Sequence, residues 1–279
     1  MRTDYSTVNL CEAFGVSRSG YNAWRNRFKG KRAQENQQLI EKIRAIHGQS
    51  NCTYGSARVT HALRQEGLQV GHNRVARLMR EEKLQVKHNK KFVPQTTDSH
   101  HDSPISPNHL KDANEITGIN QVWQADITYI RTDEGWMFLA VIIDAYSRRA
   151  LGWCMQDNME TSLIIGALTM AIATRGKIPQ GIIFHSDRGS QYASEHYRQK
   201  LFSKGFVQSM SRKGNCYDNA LVEAFFSRLK NECVYRHRFA TRKQARLTIF
   251  EWIQAFYNLR RMHSAIGYMS PVDFENLNN

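Results

Sequence analysis

Three carboxylates in separate stretches of this chain are placed to do chemistry. They are Asp126 in Val122-Trp123-Gln124-Ala125-Asp126-Ile127-Thr128-Tyr129-Ile130, Asp187 after Gly181-Ile182-Ile183-Phe184-His185-Ser186, and Glu223 in Asp218-Asn219-Ala220-Leu221-Val222-Glu223. Between Asp187 and Glu223 lie 35 residues. Carboxylates converging on one point repel one another unless cations sit between them, so the set reads as a hard-metal site with oxygen ligands. That site suits Mg²⁺-assisted phosphoryl transfer on nucleic acid, with Mn²⁺ able to substitute because oxygen ligands accept both. Singly, each acid has a plainer reading: Asp187 as a turn residue before Gly189, Glu223 as a surface helix charge, Asp126 as an edge-facing residue. The plainer reading leaves Asp126 unexplained, since an ionisable group amid apolar strand residues needs a partner.

Lys230 adds a cation. Seven positions after Glu223 at 100° per residue, it returns to within about 20° of the same helix face, roughly 10 Å further along the axis. There it can hold a DNA phosphate while Glu223 faces the metal; as a routine surface charge pattern the pair would mean less. Leu221, Val222, Phe225 and Leu229 form the opposite, core-facing stripe. Asn219 is expected to cap this helix. His185 and Gln191, flanking Asp187, fit either a structural role or one at the metal or DNA. Asp144, which follows Ile142-Ile143 and precedes Tyr146-Ser147-Arg148, fits a turn rather than a ligand.

The elements that must position these groups follow from periodicity. Val122–Ile130, Trp136–Tyr146 and Arg149–Gln156 are β-branched and aromatic runs separated by short turns, which predicts an antiparallel three-stranded meander. A helix over Thr161–Thr174, a strand over Gly181–His185, a helix over Ser190–Lys204 and a strand over Phe206–Met210 follow, then helices over 219–234 and 241–260. The order βββαβαβα matches a ribonuclease H-like α/β fold, a mixed five-stranded sheet with flanking helices. Asp187 then leaves the end of the fourth strand, where sites gather in open α/β sheets.

Upstream the chain reads as all-α. Residues 6–27 predict two helices about a Gly15-Val16-Ser17 turn, resembling a helix-turn-helix. Residues 34–47 predict an amphipathic helix with Leu39, Ile40, Ile43 and Ile46 inward, and Ser56 is expected to cap a helix over Ala57–Gln65. A helix over His72–Glu82 buries Val75, Leu78 and Met79 and shows Arg74, Arg77 and Arg80 on one side, as a recognition helix would; solubilising arginines give the same pattern. Residues 88–120 hold Pro94, Pro104 and Pro107 and a polar cluster, and read as a linker. The expected organisation is therefore a basic helical region over 1–87, a linker over 88–120 and a catalytic domain over 121–279.

Composition agrees. The 279 residues carry a formal charge of +14, and residues 1–100 hold 18 Lys and Arg against 8 Asp and Glu, so the first third should grip a polyanion. Five cysteines, scattered and never spaced C-x-x-C, argue against a zinc site and against a disulfide framework. No signal peptide or membrane-length apolar run is visible, which makes a cytoplasmic, nucleoid-associated protein the expectation.

Three extended segments, Trp123-Gln124-Ala125-Asp126-Ile127-Thr128-Tyr129, His185-Ser186-Asp187-Arg188-Gly189-Ser190-Gln191-Tyr192 and Gly214-Asn215-Cys216-Tyr217-Asp218-Asn219-Ala220-Leu221-Val222-Glu223 with Lys230, resemble the DDE core of insertion-sequence transposases. The pattern is that of the insertion-sequence three group, within the retroviral integrase superfamily, and of its second-reading-frame protein. Tyr54-Gly55-Ser56-Ala57-Arg58 and the closing Tyr257-Asn258, His263-Ser264 and Ser270-Pro271 extend the resemblance over nearly the whole chain. It implies that Asp126, Asp187 and Glu223 hold two Mg²⁺ ions for cleavage at an element end and attack of the freed 3′-hydroxyl on another strand. No covalent protein–DNA intermediate is implied, so Tyr129, Tyr192 and Tyr217 need not be nucleophiles; Tyr192 and Tyr217 would pack or touch DNA. It also implies a homo-oligomer on DNA, since two ends must be held at once, and a first-frame OrfA-type partner. A start at Met1 without long heptads reads as the second-frame product alone. Two alternatives stay open: a DNA-binding regulator without catalysis, which would bind but never nick, and a ribonuclease H-like nuclease without strand transfer, for which so large a basic helical module has less use.

Overall fold

The computed structural model describes residues 5–26, 30–86, 104–110, 115–212 and 216–278, with the side chains of Cys216 and Tyr217 outside that description. Two compact units, Met1–Gln85 and Val86–Asn279, divide the chain.

The first unit is helical. Helices α1 (Thr7–Ala13) and α2 (Arg18–Arg25) form the expected hairpin, each started by a serine: Ser6 Oγ accepts from Asn9 N at 3.2 Å and Ser17 Oγ from Gly20 N at 3.0 Å. Gly15, at φ +62°, makes the left-handed turn between them, a conformation that costs glycine little. Helices α3 (Lys31–Gln49), α4 (Ser56–Gln65) and α5 (His72–Glu81) bury the apolar stripes read from their periodicity. Ile43, Val59, Leu63, Val75 and Leu78 are all essentially excluded from water, each contributing on the order of 1.5–3 kcal/mol. Ser56 is not a cap. It is the first residue of α4 after Gly55, and its Oγ instead meets His72 Nε2 at 2.9 Å, tying the start of α4 to the start of α5.

The second unit is built on a five-stranded sheet in the order β3-β2-β1-β4-β5, from β1 (Val122–Thr132), β2 (Gly135–Asp144), β3 (Ala150–Gln156), β4 (Ile183–Ser186) and β5 (Val207–Met210). The meander is antiparallel, and β4 and β5 join parallel to β1. On one face, Trp123, Ala125, Ala140, Ile142 and Phe184 share a core with α6 (Thr161–Arg175). The expected single helix after β4 is two, α7 (Ser190–Ala193) and α8 (Glu195–Ser203). Ser194 between them is extended, with φ −61° and ψ 140°, and donates its hydroxyl to Gln191 O. Helix α9 (Ala220–Glu232) follows a 3₁₀ turn at Cys216–Asn219, and α10 (Arg242–Glu251) runs into a π-helical stretch at Trp252–Tyr257 instead of continuing to 260. A short α11 (Pro271–Leu277), not expected from the sequence, closes the chain.

The linker reading needs correction. Residues 88–103 and 111–114 lie outside the described residues, but the intervening stretch is no tether: Met210 N donates to Pro107 O, His109 N to Ser209 Oγ and Ser106 Oγ to Gln208 Oε1. The first of these bonds satisfies a main-chain N–H of β5, the edge strand of the sheet, and the other two hold the segment to β5 side chains.

Candidate active site

Strand register places the first two acids. The parallel pairing of β1 with β4 runs Val122 with Ile183, Trp123 with Phe184 and Gln124 with His185, and stops there. Asp126 and Asp187 each lie two residues beyond that last pair, so the register brings both to the point where the two strands part. Asp126 Oδ1 accepts from Ile127 N at 2.7 Å and Asp187 Oδ1 from Gly189 N at 3.0 Å. Glu223 comes from α9, whose buried residues Val222, Phe225, Phe226 and Leu229 turn it outward at the first turn, where it is exposed.

The electrostatics link the same residues. Burial, then the charge of Asp187 and more weakly that of Glu223, push the Asp126 carboxyl well above the usual carboxylate range, against the Ile127 N–H and the Lys230 cation. Lys230 is half-buried, its pKa lowered by desolvation against the pull of Asp126, and its Nζ lies 4.9 Å from the centroid of the Tyr129 ring. The set thus contains a carboxylate that does not favour its charge without a further cation, and its donors are all oxygen, as Mg²⁺ requires. Among the described residues, no group of three or more His, Cys, Asp or Glu side chains is gathered closely enough to hold an ion, and residues 213–215, ahead of α9, lie outside the description.

The neighbours sort into structural roles. His185 is fully buried between Ser209 Oγ at 2.9 Å and Ser211 Oγ at 3.1 Å, and desolvation lowers its pKa to about 4, so it is a neutral core residue. Gln191 Nε2 donates to Met159 O. Asp144 is fully buried, receives the backbone N–H groups of Asn120, Tyr146 and Ser147, and pairs with Arg175 at 3.1 Å, the turn role read from its sequence. Tyr192 is a packing residue, edge-on to Tyr197 at 5.8 Å. Burial raises its pKa well above the usual range, with Asp126, then Tyr197 and Asp187, adding to the shift. Asn219 does not cap as expected: it occupies the N-cap position of α9, but its side chain makes no cap bond and its buried Oδ1 has no partner among the described residues. Tyr217 lies outside the described side chains.

In the first unit, α5 carries the three arginines. Arg74 donates to Asn36 Oδ1 at 2.9 Å and pairs with Glu35 at 3.4 Å, Arg77 pairs with Glu81 at 2.7 Å, and Arg80 is exposed. Sequence reasoning missed the surroundings of Lys230. Trp136 meets Tyr129 edge-to-face at 5.1 Å, a contact that only the register of β1 with β2 could have disclosed.

The Integrase core domain family matches residues 117–216, a second Integrase core domain family residues 204–271, and the HTH-like domain family residues 34–92. The chain is 43% identical over 265 residues to the insertion element IS600 uncharacterized 31 kDa protein of Shigella sonnei, covering 95% of this chain and 97% of that protein. It is 40% identical over 279 residues to the transposase InsF for insertion sequence IS3A of Escherichia coli strain K12, covering 99% of this chain and 96% of that protein. A chain in the simian T-cell lymphotropic virus intasome superposes at TM-score 0.47 with 16% identity, over 83% of this chain and 73% of that one, too distant to bear on function.

Proposed function

This chain belongs to the insertion-sequence three transposase family and is a DDE transposase, and from that premise we propose that Asp126, Asp187 and Glu223 are its catalytic and metal-binding residues. The observation that carries the assignment is Asp126, a carboxyl whose charge is opposed by burial and by Asp187 and Glu223 together. The three would hold two divalent ions, Mg²⁺ or Mn²⁺ in its place, which when bound acidify a water or a DNA 3′-hydroxyl and neutralise the leaving oxygen. Asp126 and Asp187 supply the part of the site fixed by sheet register, and Glu223 the part carried by a helix. Lys230, beside Asp126, would hold a phosphate next to the scissile one.

The domain reading completes the proposal. The helical first unit, within which most of the HTH-like family match falls, binds element-end DNA through α5. Arg80 contributes most there, because Arg74 and Arg77 must first give up Glu35 and Glu81. Replacing one phosphate-binding arginine should also flatten the salt dependence of binding by about one unit of slope. Joining two ends calls for a homo-oligomer assembled on DNA, with an OrfA-type first-frame protein as partner, acting on DNA in the cytoplasm at the nucleoid. Among the described residues no helix is long and apolar enough to cross a membrane.

The decisive experiment incubates the full-length protein with labelled element-end DNA in Mg²⁺ or Mn²⁺, alongside Glu223→Gln. Metal-dependent nicking or joining that falls by at least about 10³-fold in the variant, with DNA binding retained, is expected. Binding without cleavage in either metal, with the first-frame partner supplied and Glu223→Gln indistinguishable from wild type, would overturn the assignment.

A further inference from the structure

We propose that Trp136, Tyr129 and Lys230 form a stacking site for an unpaired nucleobase of the DNA end, next to the three acids. The inference deepens the transposase reading and rests on it for the identity of the ligand.

Of the four tryptophans in the second unit, Trp123, Trp153 and Trp252 are buried while Trp136 is 45% exposed. An indole left in water at a strand end, beside a candidate active site, is a surface awaiting a partner. Trp136 meets Tyr129 edge-to-face at 5.1 Å and 87°. In such a pair the tyrosine covers at most one indole face, and nearly half of Trp136 remains in water. Lys230 Nζ lies 4.9 Å from the Tyr129 centroid, and the same ammonium is within electrostatic reach of Asp126.

The position suits a nucleotide. Tyr129 lies three residues from Asp126 on β1, about 10 Å along the strand and on its alternate face, with the Lys230 ammonium as the group that both feel. Beyond Gln124 that strand is no longer paired to β4. Cations surround the platform: exposed Arg131 is the cross-strand partner of Trp136, and Arg242 Nε donates to Trp136 O at 3.2 Å. The nearby carboxylates are engaged, Asp133 with Arg238 at 3.2 Å and Glu134 with Arg242 N at 2.8 Å. Exposed aromatic faces among cations are the arrangement on which single-stranded bases stack, tolerant of sequence because every base has a π face. A base inside a duplex is already stacked on its neighbours, so the platform favours one that has left the helix. Its use to the enzyme would be to hold the end frayed while a phosphate farther along the same strand sits at the acids.

The test compares Trp136→Ala and Trp136→Phe with wild type, in the full chain, on two labelled ends: one fully paired, one with its terminal pairs mismatched. Trp136→Ala should lower the ratio of paired-end to mismatched-end nicking about tenfold, the scale of one base stacked on an aromatic ring, and Trp136→Phe should restore it. A ratio equal to that of wild type would overturn the proposal, since a merely structural defect slows both ends alike. Metal-free binding to a single-stranded oligonucleotide and to a duplex separates the two readings. If wild type nicks neither end but Trp136→Ala still loses about tenfold in single-strand affinity and not in duplex affinity, stacking stands and the catalytic assignment falls. Equal losses for both DNAs would sink the stacking site.

Discussion

At the scale of single residues, the protein holds an acid in a place that does not favour its charge. The Asp126 carboxyl has a folded pKa above its ordinary value, chiefly through burial and then through Asp187. The native state therefore binds more protons than the unfolded chain between the two values, and ionised Asp126 weakens the fold as pH rises through that window. Asp126→Asn removes the cost. The metal-free variant should melt a few degrees above wild type at neutral pH, given that about 1 kcal/mol shifts a unit of this size by roughly 2–4 °C. Added Mg²⁺ or Mn²⁺ should raise the melting temperature of wild type and leave the variant unmoved, while the variant loses nicking. A variant less stable than wild type without metal would show that Asp126 is held by something other than an awaited cation.

At the scale of elements, close approach and packing fix where the acids stand. Helix α6 crosses β3 at Gly152, where an added Cβ would lie 2.2 Å from Ala167 O and 2.5 Å from Ala171 N, both backbone atoms that cannot swing aside. Gly152→Ala should therefore cost at least about 1–3 kcal/mol in a urea midpoint measurement. Helix α9, which carries Glu223 and Lys230, is held through Phe225, whose ring packs edge-on against Tyr257 at 4.7 Å and Trp252 at 5.7 Å. Phe225→Ala should cost about 3–5 kcal/mol and reduce nicking beyond its effect on the folded fraction, because the helix under Glu223 loses its seat. Nicking per folded molecule equal to wild type would show that α9 is positioned elsewhere.

At the scale of the second unit as a whole, the end of the chain is fastened to the sheet by a buried ionic cluster. Glu275 of α11, 2% exposed, accepts from Arg149, Arg175 and Ser147, and Arg175 also reaches Asp144 at the end of β2. Nearby, the side chain of Asn258 bonds both main-chain groups of Ala150, and Tyr257 Oη donates to Arg148 O. Burial works to raise the Glu275 pKa, but the hydrogen bonds from Arg175, Ser147 and Arg149 outweigh it and hold the carboxyl below its ordinary 4.5. A depressed acid stabilises the fold fully above its unfolded pKa and loses that contribution as pH falls through the folded one. Glu275→Gln should thus cost about 3–5 kcal/mol at neutral pH, leaving Arg175 and Arg149 short of a countercharge. The loss of wild-type stability on acidification below 4.5 should be shallower in the variant. Parallel acid titrations of the two proteins, followed by circular dichroism, would check both expectations.

The strands, most helices, the sheet class and the candidate acids were legible in the sequence, because they rest on period-2 and period-3.6 burial and on residue types whose chemistry is local. The break at Ser194, the π-helical turn after Glu251, α11 and the packing of residues 104–110 along β5 were not, since each depends on partners distant in sequence. The same division runs through the site. The grouping of Asp126, Asp187 and Glu223 as one candidate set followed from the chain itself. That His185 is a neutral core residue, that Asn219 occupies a cap position without capping, and that Lys230 lies over Tyr129 beside an exposed Trp136 were decided by the tertiary structure. Hydrogen-bond partners and ring contacts arise from the register of strands and the seating of helices, which composition and spacing do not fix.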